Sequence, residues 1–82
     1  MRTWHIKDTS ELCGLLLSKP MYFYNDFEQC VVRTESDGKG DVNYWMKFKN
    51  KLEFTGSKKN DIVYETVHLD SIVLEKEDYD EF

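Results

Sequence analysis

From Val42 to Lys49 the chain alternates without a break: Val42, Tyr44, Met46 and Phe48 fall on one side, and Asn43, Trp45, Lys47 and Lys49 on the other. Successive side chains of a strand point to opposite faces, so a period of two commits this segment to a sheet with one covered face. The first set is the core face. Trp45 is then left outside, beside two lysines, and that placement is the feature a functional reading has to explain.

A strand needs partners, and the surrounding sequence supplies them. Arg2 to Ile6 alternates as a short strand, with Trp4 and Ile6 on one side and Thr3 and His5 on the other. Asp8-Thr9-Ser10-Glu11 reads as a helix start, with Asp8 as the cap and Glu11 as its reciprocal partner. Leu12, Leu15 and Leu16, at i, i+3 and i+4, form the inward stripe of a helix of about 10 residues, which Pro20 ends. Beyond the proline the period is strand-like. Met21 to Tyr24 forms an aromatic strand, Asn25-Asp26 a turn, Glu28 to Glu35 a second strand, and Ser36 to Asp41, with two glycines, another turn. Asn50-Lys51 turns or bulges the chain into Leu52-Glu53-Phe54, and Gly56 to Asp61 is a loop. The β-branched runs Ile62 to Leu69 and Ser71 to Glu75 predict a final hairpin with its turn near Asp70.

The expected fold class is α+β: one short N-terminal helix packed on a small antiparallel sheet of about five to six strands. Residues 1–82 form one domain, with 76–82 as an acidic C-terminal tail. Leu12, Leu15, Leu16, Val31, Tyr44, Met46 and Phe48 are the expected core between helix and sheet. Forty per cent apolar and 15% aromatic residues suffice to pack such a core, which excludes the low-hydrophobicity composition of a disordered chain. The N-terminus lacks the succession of a signal peptide and no apolar run is long enough to span a membrane, so a cytoplasmic protein with two reduced thiols, Cys13 and Cys30, is expected.

Charge is spread unevenly. Residues 1–30 carry three basic groups against four acidic, 31–60 seven against four, and 61–82 one against eight. A mildly basic middle therefore meets a strongly acidic end, within a formal net charge of -5. Such asymmetry points to a charged partner.

Two candidate partner-binding sites follow. The first is Trp45 with Lys47 and Lys49, which Arg33 or the Lys58-Lys59 loop can join. A base stacks on such a ring while lysines track phosphates, as in single-strand binding. Cross-strand packing or cover by lysine stems accounts for the same pattern without a ligand. The second is Asp78, Tyr79, Asp80, Glu81 and Phe82, where spaced carboxylates imitate phosphates and the two aromatics anchor a contact with a basic groove. The alternative is a solvated tail that adds little to folding.

Catalytic and cofactor motifs are missing. His5 and His68 match no zinc spacing, Gly38-Lys39-Gly40 is too short for a phosphate loop, and no cysteine has a histidine at a motif-like distance. No metal or cofactor is expected. The sequence predicts a small acidic non-enzymatic protein that binds a basic or nucleic-acid-binding protein stoichiometrically. In general style it resembles phage-encoded inhibitors or regulators. The runner-up is a small RNA- or single-stranded-DNA-binding module that uses Trp45, Lys47 and Lys49.

Overall fold

Nine regular segments and one π-helical turn make up the structure, a computed structural model that describes residues 1–82. In chain order they are β1 (Thr3–His5), α1 (Thr9–Ser18), β2 (Met21–Asn25), β3 (Cys30–Ser36), β4 (Val42–Phe48), β5 (Phe54–Gly56), α2 (Asp61–Tyr64), a π-helical continuation of α2 (Glu65–Asp70), β6 (Ile72–Leu74) and α3 (Lys76–Glu81). The protein is α+β, with a six-stranded sheet in the order β1-β6-β2-β3-β4-β5 and every neighbouring pair antiparallel. No helix is long and apolar enough to cross a membrane.

Local chemistry explains the first half. The Asp8 carboxylate accepts from the Ser10 and Glu11 N–H groups, which caps α1, and Lys19 is extended before Pro20. Long β3 and β4 pair over their whole length, from Cys30 opposite Phe48 to Ser36 opposite Val42. Gln29 and Asn50 close the adjacent turns with φ of 51° and 60°.

The second half departs from the expected hairpin. Ile62 to Asp70 is helical, and only Ile72–Leu74 is strand, inserted between β1 and β2. Asn60 caps this helix by accepting from the Ile62 and Val63 N–H groups. Helical spacing turns Val63, Thr66 and Val67 to the sheet, where all three are fully buried. Tertiary burial thereby overrides the β-branched composition. The Thr66 hydroxyl donates to the Ile62 carbonyl and accepts from Asn25 Nδ2 at 2.9 Å, which ties the helix to β2. The helix ends at Ser71 in the left-handed region, its N–H bonded back to the Thr66 carbonyl. Close approach to β5 needs Gly56, where a Cβ would sit 3.2 Å from Val63 Cγ2.

Helices cover both faces of the sheet. Leu12 and Leu16 from α1, and Val63 and Val67 from the 61–70 helix, pack on Met21, Phe23, Cys30, Val32, Tyr44, Met46 and Val73. Each such fully buried side chain contributes about 1.5–3 kcal/mol. Leu15 and Phe48 are half-buried at the rim of this core. Val31, expected in the same core, is buried on the opposite face instead, beneath α3 with Leu74 and Tyr79. The period of two requires this, because Val32 already occupies the inward position.

Candidate interaction surface

Antiparallel register aligns the outward residues in rows. Tyr22, Arg33, Trp45 and Thr55 lie across four strands, and Tyr24, Val31 and Lys47 form the next row. The expected outward placement of Trp45 holds, and Arg33 arrives directly opposite it. The guanidinium carbon of Arg33 lies 3.9 Å from the centroid of the Trp45 ring, a cation–π contact that covers one side of the ring.

The same guanidinium grips Glu53 at two points, Nε to Oε2 at 3.1 Å and Nη2 to Oε1 at 2.9 Å, with Glu35 3.4 Å from Nη1. Bidentate geometry fixes the plane of the guanidinium, so the lid on Trp45 is held in place. Glu53 also accepts a hydrogen bond from the Tyr79 hydroxyl. The Arg33 bonds foremost, then Tyr79, hold the Glu53 carboxyl below its ordinary pKa despite partial burial. Burial and the Glu53 carboxylate push the Tyr79 phenol far up. It is un-ionised and donates.

Tyr79 belongs to α3, so the network joins the two candidate sites that lay apart in the sequence. Residues 76–81 are helical, not a solvated tail, and Tyr79 is only 3% exposed. Its ring packs 5.3 Å from that of Tyr22, and the ring of Phe82 lies edge-on to Tyr24 at 5.9 Å. The Asn50 N–H donates to the Phe82 carbonyl oxygen at 3.0 Å. Lys47 places its ammonium 4.6 Å above the Tyr79 ring and donates to the Asp80 carbonyl oxygen at 3.3 Å. Tyr79 and Phe82 stand three positions apart, a helical spacing, which is the one signal in the sequence that both aromatics turn to the same surface.

The candidate residues thus divide. Tyr79, Phe82 and Lys47 are committed to internal contacts. Asp78 is half-buried and accepts from the Arg2 N–H at 3.5 Å, while Asp80 pairs with Lys76 at 2.6 Å. Glu81 is exposed and makes no salt bridge, as are Glu75 and Glu77, two carboxylates not singled out from the sequence. Lys49 is exposed and unpaired at the far end of β4. No three His, Cys, Asp or Glu side chains converge in a way that would hold a metal ion. No family model, curated protein or solved structure matches this chain.

Proposed function

We propose that the protein is a non-enzymatic binding protein whose partner surface is the outward side of α3. The observation that carries this is the anchoring of an acidic helix through buried Tyr79, bonded to Glu53, which leaves Glu75, Glu77 and Glu81 on a fixed frame. A preordered anionic surface forms a complex without first ordering a loose segment, which lowers the entropic cost of binding. Carboxylates spaced along a rigid element suit a basic groove, and they steer encounter at low salt. The partner is a basic or nucleic-acid-binding protein, bound stoichiometrically. Inhibition or regulation of that protein, in the manner of a phage-type inhibitor acting in the cytoplasm, is the role that small size and acidity favour.

The nucleic-acid reading has less support. A base stacking on the covered side of Trp45 must displace Arg33 from Glu53, and a phosphate reaching Lys47 must displace it from Tyr79 and Asp80. The test is capture of binding partners from nuclease-treated lysate by the parent and by the triple variant Glu75→Gln, Glu77→Gln, Glu81→Gln. A protein held by the parent at low salt, released as salt rises and missed by the variant supports the reading. Equal capture by both, or capture that nuclease abolishes, overturns it.

A further inference from the structure

A groove of about 820 Å³ lies beside β4 and β5, running from α1 and the 61–70 helix on the inner face to Trp45 and Thr55 on the outer one. Its wall on one side is Cys13, Leu16 and Leu17 of α1, and on the other Tyr64 and His68. Tyr44 of β4 and the Lys58-Lys59 loop also line it, as do Trp45 and Thr55. Its size is that of a pocket for a small molecule rather than of a packing defect.

The chemistry of the lining is specific. Tyr64 and His68 stack at 5.2 Å between ring centroids with an interplanar angle of 27°, so each covers one face of the other and the more exposed Tyr64 ring is the aromatic surface left to a ligand. The Tyr44 hydroxyl and His68 Nε2 share a hydrogen bond of 2.9 Å, which fixes the imidazole in that plane. Burial foremost, then the charge of Lys58, holds the His68 imidazole below its ordinary pKa. It is a neutral ring at neutral pH, and the cationic end of the groove belongs to the lysines. Neither Lys58 nor Lys59 has a salt-bridge partner. Asp41 is the one carboxylate in the lining, and it sits with Gly40 at the start of β4.

We propose that this groove binds a small organic anion with a planar aromatic ring, the ring on the Tyr64 side of the Tyr64–His68 stack and the anionic group at Lys58 and Lys59. Aromatic burial alone would accept any flat apolar molecule. The two unpaired ammonium groups beside the stack select an acidic one, a carboxylate or a phosphate ester alike. Charge complementarity is the reason for this occupant in a chain whose net charge is otherwise -5.

The experiment is a titration of the full chain, followed by amide and side-chain NMR, with four probes: 2-naphthoate, its uncharged alcohol analogue, adenosine monophosphate and adenosine. The expected result is saturable shifts at Leu17, Tyr44, Tyr64 and His68 with at least one anion, and binding at least tenfold weaker for its uncharged counterpart. Which anion binds tells a carboxylate source from a phosphate one. Lys58→Gln with Lys59→Gln should weaken that anion tenfold or more while leaving the alcohol unchanged, and Tyr64→Ala should weaken both. Tyr64 is 41% exposed, so its truncation leaves the core in place, and an unchanged amide spectrum away from the groove verifies this. Shifts scattered over the surface, equal binding of charged and uncharged probes, or no saturation at millimolar concentration would overturn the proposal. So would groove shifts on simple dilution of the free protein, which would make the occupant a second copy of this chain.

Discussion

On one face of the sheet, α1 and the 61–70 helix bury a cluster of twelve side chains that is apolar apart from the Tyr44 hydroxyl and the Cys30 thiol. On the other, α3 buries only Val31, Leu74 and Tyr79 and is held as much by hydrogen bonds and charge, through Arg33, Glu53, Tyr79 and Lys47. The first face loses apolar burial when a side chain is truncated. The second depends on partners that must all be present and in the right protonation state, because a half-satisfied network leaves a partly buried charge alone. Stability and surface presentation are thereby divided between two sides of one thin sheet.

The largest effect belongs to the apolar face. Phe23, fully buried at the centre of β2, should cost about 3–5 kcal/mol when replaced by alanine, and Leu16→Ala about 2–5 kcal/mol. Chemical denaturation measures both, and midpoints equal to the parent's would remove α1 and β2 from the core. On the opposite face, Tyr79→Phe keeps the ring against Tyr22 and removes the donor to Glu53. The expected loss is about 1–3 kcal/mol, and an unchanged midpoint would mean the network holds nothing.

The two faces should also respond to acid at different pH. His68 is held below its ordinary value of 6.5, so the unfolded chain takes up a proton first and stability falls as pH drops from about 6.5 towards the lowered folded value. Glu53 is depressed from 4.5, chiefly by Arg33, so its contribution is complete above about 4.5 and is lost as pH falls through its folded value. His68→Gln should flatten the first decline and Glu53→Gln the second. A single decline that neither variant alters would contradict the division. The smallest effect is expected at the exposed carboxylates: Glu77→Gln and Glu81→Gln should leave stability within about 0.5 kcal/mol, as measured by the same denaturation curves. A larger loss would show them holding the fold rather than facing a partner.

Legibility in the sequence followed the same division. The alternation of Val42 to Lys49, the Asp8 cap and the Pro20 stop each rest on local chemistry, and each appears in the structure. Ile62 to Leu69 reads as strand by its β-branched residues but is helical, and its spacing at Val63, Thr66 and Val67 and the Asn60 cap are the signals on the other side. At the site, alternation placed Trp45 outside with Arg33 beside it. It did not show that α3 returns across that face, because the pairing of Tyr79 with Glu53 and of Lys47 with the ring joins residues more than 20 positions apart. Acidity suggested a solvated segment. The two aromatics at helical spacing carried the opposite message.

Docking of residues 76–82 on the sheet is the claim on which the proposed surface depends. Backbone ¹⁵N relaxation of the full chain tests it most directly, with β3 and β4 as the internal standard. Docking predicts order parameters at Tyr79 and Asp80 close to the rigid-backbone value of about 0.85, falling in a Tyr79→Ala variant while β3 and β4 keep theirs. Values below about 0.6 across 76–82 in the parent would contradict it and leave the acidic residues as mobile charge.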